Sequence, residues 1–258
     1  WADVTVVYNK KYNPEVQPIK APVFQEHVNI RRGISLWNDL CTLFSLARLF
    51  RRNEFDLVIT LVPKAGFLGM LAARFCQVPV RLNIFQGEVW AVKEGASRFL
   101  LRSTSFLTSF CSTDLLAVSE SQRKFLIKEG VAPANKISVL GSGSIGGVDS
   151  SRFKSNPLGR SKLRERYNID EHAYLLLFVG RITHDKGVVS LVNAFASLLI
   201  HQPNTFVILV GPDEEALSDQ LKKKLSAENQ HKLIFPGFTR EPESYMSAAD
   251  ILCLPSRR

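Results

Sequence analysis

The chain reads as an α/β protein of two Rossmann-like domains, each built on a parallel sheet. Three observations predict this. Strand-like and helix-like segments alternate along nearly all of the 258 residues, the pattern of repeated strand–helix units. The strands of the second half, "YLLLFVG", "TFVILVG", "KLIFPG" and "ILCLPS", are continuous apolar runs, as strands covered on both faces require. A glycine- and serine-rich stretch, "GSGSIGGVDSSRF", interrupts the alternation near residues 141–153. The N-terminal domain is therefore placed at 1–145 and the C-terminal domain at 146–258.

"VTVVY" (4–8) is a strand, and "LWNDLCTLFSLARLFRR" (36–52) a helix whose polar Asn38, Thr42, Ser45, Arg48 and Arg52 recur every three or four residues. "DLVITL" (56–61) is a strand, "AGFLGMLAARFC" (65–76) a helix and "VRLNIF" (80–85) a strand. A helix over 96–112 and the strand "LLAVS" (115–119) follow. Ser119 and Gln122 have capping-box spacing before a helix that stops at Gly130, and "KISVL" (136–140) closes the half. In the second half, helices over 187–200, 214–226 and 241–249 separate the four apolar strands. Gly141-Ser-Gly143-Ser-Ile-Gly146 fits the dinucleotide fingerprint G-x-G-x-x-G by letter, but opens no helix and runs into a proline. It is read as a flexible interdomain hinge rather than a cofactor loop.

A charge of +9 with 45% hydrophobic residues is globular composition with apolar mass for two cores. Eighteen Lys and Arg face twelve Asp and Glu in residues 1–150, which is a solvated surface or an attraction to anions. A nucleic-acid binder would interleave aromatics with Lys and Arg on one face, whereas most phenylalanines here fall in apolar periodic segments. No apolar stretch reaches the ~18 residues that span a bilayer. Cys41, Cys76, Cys111 and Cys253 are far apart in apolar contexts and read as buried thiols of a reducing cytoplasm. The five histidines form no ligand-spaced pair, so no metal site is expected. Both ends read as cut: the chain opens on Trp1 and closes on Arg257 and Arg258 directly after a strand.

The most informative stretch is "LLLFVGRITHDKGVVSLVNAF", residues 175–195. In an open α/β sheet, ligands sit beyond the carboxyl ends of the strands. There the Gly180-Arg181 turn and Lys186-Gly187 precede a helix whose N-terminal N–H groups favour an anion. Arg181 can hold a phosphate bidentately and Lys186 adds a compact charge. A surface Arg and Lys flanking a helix start is the alternative.

"FVGRITHDKG", "FVILVGPDEE", "KLIFPGF" and "YMSAADILCLPSRR", in that order and spacing, resemble the C-terminal domain of retaining GT-B glycosyltransferases of family 4. "FDLVITLVPKAGFLGMLAARFCQVPVRLNIFQGEVW" and "GSGSIGGVDSSRF" are similar to the branch that builds capsule, O-antigen and other polyprenyl-linked glycans of bacteria. The resemblance implies a GT-B fold with parallel sheets facing an interdomain cleft, both domains incomplete here. It implies transfer, with retention, of a sugar from a nucleotide-sugar donor, UDP-linked, to a polyprenyl-diphosphate-linked glycan. Arg181 and Lys186 would hold the donor diphosphate and replace a metal cofactor. Gly180, Gly211, Pro212, Gly237 and Phe238 would frame the donor. Gln86, where many members have histidine, would contact its sugar. Lys64, with the N–H groups of Ala65 and Gly66, is placed at the acceptor phosphate; for the glycines the alternative is structural, Gly66 and Gly69, spaced three apart, letting the helix pack tightly on the sheet. The arginines of the N-terminal helices, Arg48, Arg51, Arg52, Arg98 and Arg102, would attract the inner face of the plasma membrane, giving a cytoplasmic, peripheral enzyme. A GT-B protein that binds nucleotide sugar without transferring it, an epimerase or inactive subunit, is the other class. The family's Glu-x7-Glu motif is expected directly after Arg258 and its first strand and glycine loop before Trp1, so residues 1–258 alone are expected not to turn over.

Overall fold

The computed structural model describes residues 3–9, 23–30, 33 and 35–256; Trp1, Arg257 and Arg258 lie outside them. Two compact units divide between Gly146 and Gly147.

The first unit carries two parallel sheets. One pairs β1 (Thr5–Tyr8) with β2 (Phe24–His27), a strand the polar "FQEH" does not announce. The other has the order β3 (Leu57–Thr60), β4 (Val80–Phe85), β5 (Asp114–Ala117), β6 (Ile137–Val139), all parallel. Its helices are α1 (Leu36–Asn53), α2 (Pro63–Phe75), α3 (Gly95–Cys111) and α4 (Glu120–Lys128). The expected capping box forms across three residues: Ser119 Oγ accepts the Gln122 N–H, and Gln122 Oε1 accepts the Val118 N–H. One core lies between α1, α2 and β3 around Leu46, Phe50, Met70 and Ala72. A second lies around Phe85, Trp90, Leu115 and Leu126.

The second unit has one parallel sheet, in the order β10 (Ile251–Leu252), β7 (Tyr174–Val179), β8 (Thr205–Val210), β9 (Leu233–Gly237). All six residues of the central strand β8 are buried, because α6 (Val188–His201) packs one face and α5 (Pro157–Arg166) and α8 (Pro242–Ala248) the other. The edge strand β10 leaves Ile251 and Leu252 about half exposed.

Four expectations need correction. The proline of "FKSNP" opens α5 instead of excluding a helix: Pro157 takes the first position, and Asn156 Oδ1 accepts the Gly159 N–H at 3.0 Å. The helix expected over 214–226 contracts to α7 (Ser218–Lys222). Asp213 takes the N–H groups of Leu217 and Ser218 and starts the helix late. The stretch read as an interdomain hinge is not loose throughout: Gly143 and Ser144 are held against the first unit. The Ser144 N–H bonds the Val118 carbonyl at 2.7 Å, and a Cβ on Gly143 (φ +98°) would lie 3.3 Å from the Val118 carbonyl carbon. Cys41 is exposed on α1, and only Cys111 is fully buried; burial pushes the Cys111 thiol up.

Candidate functional site

In the second unit the carboxyl ends of three strands are fastened together. The Gly180 N–H bonds Val210 O, the Ile182 N–H bonds Pro212 O and the Gly211 N–H bonds Gly237 O, each at 2.9 Å. Gly180 and Arg181 at the end of β7 thus lie against Gly211 and Pro212 at the end of β8, and Gly211 against Gly237 at the end of β9. The glycines are needed sterically. A Cβ on Gly211 (φ +143°) would come within 2.7 Å of the Gly180 carbonyl carbon. A Cβ on Gly187 (φ +74°) would come within 2.8 Å of the Pro255 carbonyl carbon, so the loop after β10 closes on the start of α6. Phe238 follows at 69% exposure, the largest apolar side chain left open at this edge.

Lys186 ends a 3-10 turn over His184–Lys186, directly before Gly187 and α6. Among the described residues no carboxylate pairs with it. Arg181 does have a partner, Glu214 Oε2 at 2.8 Å, with both side chains substantially exposed. The neighbouring Glu215 holds His184 through its backbone N–H at 3.0 Å and its ring Nδ1 at 2.5 Å. These contacts, the backbone one foremost, hold the Glu215 carboxyl below the usual range. All three acids of "PDEE" are therefore used: Asp213 caps α7, and Glu214 and Glu215 tie the loop after β8 to the loop after β7. That cluster was visible as three consecutive acids after a strand, and only its partners required the fold.

A buried ion network supports this sheet from behind. Arg164 is 1% exposed on α5. It donates to Asp250 Oδ2 at 2.8 Å and to the carbonyls of Ala248, Asp170 and Ala173. Asp250 also accepts from Arg160 and from the Leu175 N–H.

In the first unit a pocket opens at the carboxyl ends of β3 and β4, lined by Leu61, Val62, Pro63, Asn83, Gln86 and Glu88 among others. Gln86 is exposed at its mouth. Lys64 is held by Asp39, with Nζ 2.6 Å from Oδ1, and donates to the Gly33 carbonyl. The expected role of Gly66 as a phosphate donor is corrected: α2 starts at Pro63, two residues early, and the Gly66 N–H bonds Val62 O at 2.6 Å inside the helix. Gly66 instead allows close packing, since a Cβ there would lie 2.8 Å from Asn83 Oδ1. Ala65 remains in the first turn of α2. Glu88 was not singled out from the sequence. It is 8% exposed and bonds Trp90 Nε1 and Ser105 Oγ through Oε2. Burial pushes its carboxyl up, against the lowering effect of those two bonds. Among the described residues no group of three His, Cys, Asp or Glu side chains could hold a metal ion, and no helix is long and apolar enough to cross a membrane.

The family of glycosyl transferase 4-like domains matches residues 2–143, and glycosyl transferases group 1 matches residues 159–258. The chain is 28% identical over 250 residues to the capsular polysaccharide biosynthesis glycosyltransferase CapM of Staphylococcus aureus, covering 96% of this chain and 63% of that protein. It is 26% identical over 231 residues to the UDP-Gal:α-D-GlcNAc-diphosphoundecaprenol α-1,3-galactosyltransferase of Escherichia coli, covering 87% and 58%. The chain thus spans about three fifths of the length of these relatives. Among solved structures, Anabaena Alr3699/HepE in complex with UDP-glucose superposes with a TM-score of 0.68 at 19% identity, over 91% of this chain and 61% of that one. The likeness is one of fold: two Rossmann-like α/β domains of the GT-B type.

Proposed function

Because this chain belongs to the family of glycosyl transferase 4-like domains, we propose that the protein transfers a sugar from a UDP-linked donor to a polyprenyl-diphosphate-linked glycan in cell-surface polysaccharide synthesis, with retention at the anomeric carbon. The observation that carries the reading is the fastening of Gly180, Arg181, Gly211, Pro212 and Gly237 into one strand-end platform, with Lys186 beside it at the start of α6. On that platform Arg181 and Lys186 take the donor diphosphate. Their charge stabilises the leaving nucleoside diphosphate as the glycosidic bond breaks, the work a metal would otherwise perform. The strand-end backbone of Gly211–Pro212 and Gly237–Phe238 frames the nucleobase, and Gln86 meets the donor sugar. Glu214 does not obstruct this. An ion pair as exposed as its pair with Arg181 is worth roughly 0.2–1 kcal/mol, so a diphosphate displaces it at small cost.

On the acceptor side, Lys64 is already engaged by Asp39. It would meet a phosphate by sharing its charge, together with the first-turn N–H of Ala65. The proposed peripheral contact with the inner membrane face rests on α1. There Leu36, Leu40 and Phe44 recur every four residues beside Trp37, all exposed. Of the five arginines expected to assist, Arg52 pairs with Glu26, and Arg98 and Arg102 pair with Glu129. Among the described residues no carboxylate pairs with Arg48 or Arg51, which leaves these two for anionic lipid.

Lys186→Ala in the full-length enzyme tests the donor assignment. Loss of one charged hydrogen-bonding partner, about 1.5–3 kcal/mol, should weaken UDP binding on the order of tenfold to a hundredfold by isothermal titration and lower turnover. Unchanged affinity with unchanged turnover would remove Lys186 from the site. A nucleotide-sugar-binding protein without transfer would bind UDP and lose it in the variant, yet form no glycosidic product.

A further inference from the structure

We propose that Glu88 and Asn83 form a receptor for sugar hydroxyls in the pocket of the first unit, which deepens the transfer reading and rests on it. The two residues reach the pocket from the end of β4 and the turn after it.

Glu88 is more than nine-tenths buried, and only one of its oxygens is used. Oε2 takes both donors, Trp90 Nε1 and Ser105 Oγ, the latter at 2.7 Å. Ser105 Oγ in turn accepts from Trp90 Nε1 at 3.0 Å, which closes a triangle. Oε1 has no hydrogen-bond partner among the described residues, and no lysine or arginine pairs with this carboxylate. Nor is Oε1 sealed in: among the described residues the one fully buried side-chain oxygen or nitrogen lacking a hydrogen bond belongs to Asp39. Oε1 therefore keeps access to solvent, and Glu88 lines the pocket.

Asn83 is the complement. It is 4% exposed, and its Oδ1 accepts from Thr60 Oγ1 at 2.7 Å. With Oδ1 on the Thr60 hydroxyl, the amide nitrogen lies on the other side. Nδ2 has no protein partner among the described residues and is likewise not sealed. The pocket thus offers a carboxylate oxygen and one end of an amide, both without protein partners among the described residues. A buried acceptor or donor left unmet costs about 1–3 kcal/mol, so both await partners that donate and accept. Sugar hydroxyls do both.

Rigidity separates this arrangement from an incidental one. Trp90 is 1% exposed and stacks on Phe125 at 5.2 Å, within the core formed by Phe85, Leu115 and Leu126. The indole N–H cannot turn away, so Glu88 is held with Oε1 presented. Burial raises its carboxyl and the two hydrogen bonds from Ser105 and Trp90 lower it, so a further hydroxyl donor on Oε1 would favour the charged form. Specificity follows from the same geometry: a site with committed polar groups rejects a sugar lacking the matching hydroxyl more strongly than an apolar pocket would.

The test uses the full-length protein labelled with 13C at glutamate Cδ, with the Glu88 signal identified by its absence in Glu88→Gln. Methyl α-glycosides of glucose, galactose, GlcNAc and GalNAc are titrated in turn. At least one should move the Glu88 signal saturably, and Asn83→Ala should weaken that binding about tenfold. No movement with any of the four would overturn the proposal, whether or not the protein proves to be a transferase. Kinetics then separates the two sources of hydroxyl. Glu88→Gln turns the exposed acceptor into a donor and should raise one KM about tenfold or more. A rise for GlcNAc-diphospho-polyprenol assigns the acceptor sugar. A rise for UDP-sugar hydrolysis, followed as UDP release without acceptor, assigns the donor sugar. Both KM values unchanged within twofold would overturn the proposal. If no UDP-sugar yields product while glycosides still shift Glu88, the transfer reading fails and the hydroxyl receptor stands.

Discussion

Replacing Gly211 by alanine should loosen the strand-end platform proposed for the donor without touching Arg181 or Lys186. At φ +143° the new Cβ would lie 2.7 Å from the carbonyl carbon of Gly180 and closer still to its oxygen. Ordinary contact begins near 3.4 Å, so the ends of β7 and β8 must part by roughly 0.7 Å or more. Neither side can yield by rotating a side chain, because both are backbone. Overpacking of this kind costs about 1–3 kcal/mol. The bonds Gly180 N to Val210 O, Ile182 N to Pro212 O and Gly211 N to Gly237 O are strained with it, each worth about 0.5–1.5 kcal/mol net. A loss of about 3 kcal/mol is expected. Gly237→Ala is the control. Its φ of +81° is unfavourable for alanine, but a Cβ there meets nothing within 4 Å, so it should cost only about 1–2 kcal/mol. The three tryptophans, Trp1, Trp37 and Trp90, all lie in residues 1–146. Urea unfolding followed by far-ultraviolet circular dichroism and by tryptophan fluorescence therefore assigns the change to a unit: the dichroism midpoint should fall and the fluorescence midpoint stay. UDP affinity should drop with it. The steric reasoning is refuted if Gly211→Ala costs less than Gly237→Ala, or if the fluorescence midpoint falls instead.

The network behind the sheet predicts both a mutant effect and a pH dependence. Arg164→Leu removes the donor shared by Asp250 and the carbonyls of Ala248, Asp170, Glu171 and Ala173, while Arg160 and the Leu175 N–H stay on Asp250. It should destabilise the second unit by about 1–3 kcal/mol in urea; no measurable loss would contradict the network. Burial raises the Asp250 carboxyl, but the Leu175 N–H and the guanidinium groups of Arg160 and Arg164 outweigh it and hold the group below its ordinary value. A depressed folded-state value means stability that is present above the unfolded-state value and lost as pH falls through the folded one. Wild type should therefore lose stability more steeply below about pH 4 than Asp250→Asn, and parallel acid limbs would count against the linkage. On the membrane side, Trp37→Glu and Phe44→Glu should each reduce co-sedimentation with vesicles containing anionic lipid several-fold. Salt should weaken wild-type binding only modestly, since two rather than five arginines contribute about 1 kcal/mol each; equal binding by both variants would clear α1 of the role.

Much of this molecule was legible in the sequence because the relevant physics is local. Apolar runs bounded by glycine and proline mark β7, β8 and β9, and the Ser119–Gln122 spacing marks the start of α4, since a cap is completed within one turn. The strand-end position of Arg181 and Lys186 follows from the order of elements alone. What the sequence could not decide depends on partners far along the chain. Polar β2 exists because β1 accepts its hydrogen bonds, not because its residues favour a strand. The proline before α5 could end or begin a helix, and Asn156 settled it by capping. The sequence places Lys64 at the acceptor phosphate with no sign of Asp39, one helix earlier, which pairs with it. Glu214 and Glu215 draw no reading from the sequence, because their partners lie on the loop after β7. Glu88 carried no motif at all: its environment is made by Trp90 and Ser105 on a turn and a helix that only tertiary packing brings together. Burial and the count of available hydrogen-bond partners are properties of the folded neighbourhood, and no single stretch of chain encodes them.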